Sequence, residues 1–183
     1  MLRYLGVFLL LPALIAGSGA AVAETWILDP ATTAEASVSW QGKPIAVRYP
    51  GLSGEVEFDS RHLDVAKATL SVPTGAATTG NPIVDAMMRS PDYLDAAGHP
   101  TITFELDKLT RTSDDTADVA GRVTLRGVTR PVRLTAKVLA FGEARADFAI
   151  TGQIDRRDFG STAGVPEVAA VLPLDIRLVM TAR

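Results

Sequence analysis

Apolar side chains return at every second position along most of this chain, and that period belongs to a β-strand with one buried face. Ala36, Val38 and Trp40 alternate with Ser37 and Ser39, and Val56 and Phe58 alternate with Glu55, Glu57 and Asp59. The same pattern runs through Ala66–Val72, Ile102–Leu106, Val119–Leu125, Val132–Val138, Phe148–Ile154 and Leu172–Met180, which makes about eight amphipathic strands. Turn signals separate them at Gln41-Gly42-Lys43-Pro44, Arg111 to Asp115, Gly127 to Pro131 and Phe141-Gly142-Glu143. Connections this short join antiparallel neighbours. One stretch departs from the period: residues 82–96 read as a short helical insertion, with Pro82 in the first turn, Ser90-Pro91 as a break and a further turn over Asp92–Ala96. Many strands in an open sheet leave edges that pair with other chains, and closure removes those edges. The pattern therefore predicts an all-β protein, an extended lipocalin-like antiparallel barrel of about eight strands.

The N-terminus reads as an export signal. Arg3 supplies a positive start, Leu5 to Ala16 an apolar run, and Ala21-Val22-Ala23 the small residues that precede cleavage. The apolar run is shorter than the roughly 20 residues a spanning helix needs. We expect residues 1–23 to be a cleaved signal peptide, residues 24–183 to form one domain of ordinary size, and the bacterial periplasm to be the destination. The chain has no cysteine, which excludes a lipid anchor on a thiol, disulfides and thiol catalysis. Its charge of −3, with 18 Lys+Arg against 21 Asp+Glu, argues against nucleic acid as a partner.

The inward set contains slim residues, Ala36, Ala66, Ala68, Gly121, Ala136 and Gly152, and few aromatics. That composition suits either a barrel with a hollow interior or an elongated sandwich whose two walls approach closely. Candidate lining or gate residues are Val38, Trp40, Phe58, Leu70, Met87, Met88, Tyr93, Leu94, Ile102, Phe104, Phe148 and Ile150. Met87, Met88, Tyr93, Leu94 and Phe104 are equally consistent with ordinary core beneath the helix. In Asp155-Arg156-Arg157-Asp158, Arg156 and Arg157 either meet a phosphate head group or belong to a charged turn held by internal ion pairs, and the second is the commoner use of such a cluster. His62 and His99 read as turn residues, and two isolated histidines do not make a metal site. No nucleophile elbow, Gly-rich phosphate loop or HExxH motif occurs, so no catalytic residue, metal or cofactor is expected.

Four ordered segments carry a family resemblance. Asp85 to Phe104 resembles the helix-to-strand signature of YceI-like proteins. Trp26-Ile27-Leu28-Asp29-Pro30 is similar to their opening, Gly121 to Val132 to their Leu-Thr-(Leu/Ile)-(Arg/Lys)-Gly-Val-Thr-(Arg/Lys)-Pro-Val strand pair, and Arg157-Asp158-Phe159-Gly160 to their Arg-Asp-Phe-Gly turn. The chain departs from that pattern after Asp29-Pro30, where Ala31-Thr32-Thr33 replaces a His-Ser pair, at Met87, where members often carry His, and at Tyr93-Leu94, where an aromatic pair is usual. The resemblance implies a periplasmic barrel that carries or stores a long-chain isoprenoid lipid, a polyprenyl phosphate or pyrophosphate or an isoprenoid quinone. It implies no catalysis. The alternatives are an enzyme acting on such a lipid and a ligand-free structural or partner-binding barrel. The family contains dimers, for which the strand near Trp26 is the candidate edge, and an inner-membrane protein is a candidate partner in delivering the lipid.

Overall fold

The computed structural model describes residues 23–183; the expected signal peptide thus lies, apart from Ala23, outside the described residues. Ten strands follow in order: β1 Glu24–Leu28, β2 Thr33–Trp40, β3 Lys43–Arg48, β4 Ser53–Asp59, β5 His62–Pro73, β6 Thr101–Arg111, β7 Thr116–Leu125, β8 Val128–Phe141, β9 Arg145–Asp155 and β10 Val171–Ala182. All pairings are antiparallel. Eight strands close a ring in the order β1-β4-β5-β6-β7-β8-β9-β10, because β1 pairs with β10 as well as with β4. The remaining two, β2 and β3, form a hairpin that leaves the ring from β10.

The eight expected strands are present, and the closed eight-stranded barrel is the predicted architecture. β1 and β3 are additions, and the turns are tighter than expected. Gln41 and Gly42 lie at φ 50° and 78°, and Arg126 and Gly127 at 53° and 71°. Two successive positive φ values make the two-residue turn whose twist matches the strands, so Lys43-Pro44 and Val128–Pro131 already belong to the following strands. Pro44 lacks a ladder N–H and is tolerated because β3 is the free edge of the sheet. The strand near Trp26 is not an edge, as the sequence suggested: β1 is paired on both sides and Trp26 is 1% exposed.

The two ends of the barrel differ. At one end Trp26 stacks on Phe58 with centroids 5.5 Å apart, Phe141 lies 5.9 Å from both rings, and Phe148 meets Phe58 edge-on at 6.2 Å. Met180, Leu178, Val56 and Ala146 complete this plug. The three register shifts of the sheet, at Glu57/Asp59, Leu106/Lys108 and Val138/Ala140, all fall toward this end, where bulges add the twist that closure demands. Toward the other end the inward row of β10 stays only half-buried at Leu172, Leu174 and Ile176, then becomes buried at Leu178 and Met180. Filled barrel thus gives way to hollow barrel within one strand.

Most of the slim inward residues do not make the hollow. A Cβ on Gly121 would lie 2.5 Å from the Phe104 ring, and one on Gly152 would lie 2.4 Å from Leu134. Ala66, Ala68 and Ala136 pack against the two apolar clusters of the wall. These positions let neighbouring side chains lie flat, and of the six only Ala36 faces the cavity.

The helix α1, Pro82–Met88, is shorter than the expected insertion; Arg89 to Gly98 continue as linked turns in which Tyr93 N–H donates to Ser90 and Leu94 N–H to Met88. Asn81 caps α1 by accepting from the N–H groups of Ile83 and Val84. Asp85, 7% exposed, staples the helix to the preceding loop by accepting from Thr78 Oγ1, Thr79 N–H and Thr79 Oγ1, each at 2.6 Å. The loop in turn bridges to the β3 edge through Thr78 and Arg48.

Two outcomes follow from these contacts. Replacing Gly121 by Ala drives a methyl into the Phe104 ring and the Glu105 carbonyl, and should cost about 1–3 kcal/mol in denaturant unfolding. The Thr78 and Thr79 donors hold the Asp85 carboxyl at about 2, below its ordinary 3.8. A depressed native pKa stabilises above the unfolded value and loses that contribution as pH falls, so the staple should hold above about pH 4 and release toward pH 2. Pepsin cleavage between residues 78 and 94 should rise across that window, and D85N should hasten tryptic cleavage after Arg89 at neutral pH.

Candidate functional site

The hollow half encloses an apolar slot of about 240 Å³. β2 runs along it, presenting Ala34, Ala36, Val38 and Trp40 in a row, a stretch of seven residues or about 20 Å of wall. Ile102 and Phe104 of β6, Leu70 of β5 and Ile150 of β9 stand on the ring side, and Val84, Met87, Met88, Tyr93 and Leu94 of α1 and the turns after it complete the lining. Such a volume is just below the range usual for compact small-molecule sites, and a narrow, long shape fits a chain better than a ring system.

Val38, Trp40, Leu70, Met87, Met88, Tyr93, Leu94, Ile102, Phe104 and Ile150 are therefore brought together as the sequence suggested. Phe58 and Phe148 are not part of this wall. Both lie in the aromatic plug, where Phe58 packs against Trp26 and Phe141, and Phe148 against Phe58. The sequence reading also missed Ile45 and Val47 of β3 and Tyr49 just after it, whose every-second spacing was hidden by Pro44 and by the shortness of the run.

The two arginines divide by parity. Continuing the inward row of β9 from Ile150 through Gly152 and Ile154 brings position 156 inside and 157 outside. Arg156 is 4% exposed and its guanidinium spends all its N–H groups internally: Nε donates to the Ala169 carbonyl, Nη1 to Ser161 O and Oγ, and Nη2 to the carbonyls of Ala163 and Val168. Burial pushes its pKa down from the ordinary arginine value, and the Tyr93 ring lies 5.9 Å from the guanidinium carbon. Arg157 pairs with Asp155 through Nε at 2.9 Å and Nη2 at 2.5 Å, and that pair holds the Asp155 carboxyl at about 2. The Arg156 guanidinium has no donor left for a head group. Arg157 spends one face of its fork on Asp155, an internal ion pair of the charged turn, and its side chain is otherwise half exposed.

What Arg156 builds is the rim. By holding carbonyls between Ser161 and Ala169 it fixes the loop that meets the β2–β3 hairpin, where Ala169 N–H donates to Ser39, Gln41 N–H to Glu167, and Trp40 bridges to Val168. On the facing rim Arg126 Nη1 donates to the carbonyls of Pro91 and Tyr93, and His99 rests on Gly127 and lies 3.5 Å from Asp95. His62 is at the opposite end, bonded to Asp59 in the β4–β5 turn. Among the described residues, no group of three His, Asp or Glu is placed to hold a metal, and no helix is long and apolar enough to cross a membrane.

Comparison with known proteins agrees with this geometry. A UPF0312 protein of Ectopseudomonas mendocina is 32% identical over 119 residues, a stretch that spans 62% of this chain and 62% of that relative. Among solved structures, Burkholderia cenocepacia BcnA superposes with a TM-score of 0.78 at 21% identity, covering 83% of this chain and 98% of BcnA. A polyisoprenoid binding domain from Saccharophagus degradans, implicated in plant cell wall breakdown, gives 0.70 at 20% identity, covering 86% and 98%. At these identities both structures speak for the fold alone. The YceI-like domain model matches residues 26–180, from the tryptophan of the plug to the strand that closes the ring, and the chain belongs to the YceI-like family.

Proposed function

We propose that this protein binds a long-chain isoprenoid lipid in the apolar slot and serves as a periplasmic carrier or store for it. The observation that carries the proposal is the slot itself: about 20 Å of apolar wall along β2, from Ala34 to Trp40, faced by the aliphatic side chains of the ring. A branched hydrocarbon chain gains about 25 cal/mol for each Å² it removes from water. The Saccharophagus neighbour, described as polyisoprenoid binding, supports the choice of lipid class. Met87 and Met88 in the lining can adapt to an irregular chain, because an unbranched thioether tolerates many packings.

Export through a cleaved leader over residues 1–23 belongs to the same proposal. β1 begins at Glu24, so cleavage before it would leave the barrel whole. Delivery by an inner-membrane protein would follow from that location. Nothing in this binding mode calls for a catalytic group.

Native mass spectrometry of the purified protein, followed by organic extraction, should find an isoprenoid lipid bound; repeated isolation with an empty interior would sink the proposal. Leu174, opposite Ala36 at mid-slot, is the position for a blocking variant. L174W should weaken lipid binding by at least about tenfold, equivalent to roughly 1.4 kcal/mol, while circular dichroism still reports the barrel.

A further inference from the structure

Binding a bare hydrocarbon leaves two phenols of the lining unused, Tyr93 at the mouth and Tyr49 away from it. Tyr49 follows Ile45 and Val47 on the inward parity of β3, and its N–H is tied to the Ala34 carbonyl, at the end of the slot remote from Trp40. Its hydroxyl has no hydrogen-bond partner among the described residues. The other polar groups there are mostly committed: the Thr79 hydroxyl to Asp85, Ser161 to Arg156, and Ser71 to Ser53. The surrounding protein pushes the Tyr49 phenol up to about 12, so it is a neutral donor at every physiological pH. Tyr49 is half-buried and forms part of the slot lining.

A lipid that entered tail first would bring its methyl end to this hydroxyl and leave the donor dry and unpaired, an arrangement that disfavours binding. A phosphate brought there would fare worse. Arg156, the basic side chain of the wall, stands at the opposite end with every N–H engaged, so among the described lining residues no cation is free to balance an enclosed anion.

We propose that Tyr49 determines ligand specificity: its hydroxyl donates a hydrogen bond to an acceptor oxygen on an uncharged ligand, whose polar end lies at the inner end of the slot. The ligand class is then a neutral isoprenoid bearing a carbonyl, and a diphosphate is rejected. This assignment rests on the lipid-binding proposal above, yet the two can fail separately.

The test compares three probes on the wild-type protein and on Y49F and Y93F: an isoprenoid quinone, the polyprenyl diphosphate of the same chain length, and squalene, which has no head group. Tyr93 stands at the mouth, its hydroxyl near Gly164, and reports the reverse orientation. Y49F should weaken the quinone about threefold to tenfold, the worth of one hydrogen bond, with squalene affinity unaltered and the diphosphate the weakest of the three on the wild-type protein. Equal quinone affinity in Y49F and wild type, a quinone-only loss in Y93F, or preference for the diphosphate would each overturn the assignment while leaving lipid binding intact. Failure of all three probes to bind would instead remove the lipid-binding proposal.

Discussion

One strand has to serve two partners, and the shape of the site depends on it. β10 is 12 residues long. Its last residues pair with β1 and close the ring, while Leu174 to Arg177 pair with β2 on the same edge. An edge can hydrogen-bond to one neighbour at a time, so the chain cannot be a tight ring along its whole length. Where β1 takes the edge, the walls converge on Trp26 and its aromatic neighbours. Where β2 takes it, the β2–β3 hairpin swings outward and the interior opens. The slot is the direct consequence of that exchange of partners.

The opening would collapse or fray if its rim were loose, and buried polar groups keep it in place. Arg156 is taken out of water without a carboxylate partner, and carbonyls satisfy its donors instead. Such a group is costly unless every donor is used, which is why it fixes a loop so firmly. Asp85 does the corresponding work for α1 with three short hydrogen bonds from two threonines. The charge in this region is thereby spent on architecture, and the cavity surface stays apolar despite an arginine and an aspartate close by.

Much of this was legible in the residues. The parity of the strands identified most of the wall, and Arg156 could have been placed inside by extending the row from Ile150 and Ile154. Phe58 and Phe148 could not be separated from wall residues in this way, since they share the parity of Val56 and Ile150. Tyr49 was hidden because a six-residue strand containing Pro44 gives a weak periodic signal.

The sequence by itself determined that this is a β protein with one buried face per strand, which face that is, and where the turns fall, because a period of two and turn chemistry are local properties. Its ordered motifs also determined the family. Only the tertiary structure decided which half of the inward face is packed and which is hollow. That outcome depends on which strand meets the edge of β10 at each level and on four aromatic rings from β1, β4, β8 and β9 gathering at one end, and residues so distant along the chain have no local pattern in common.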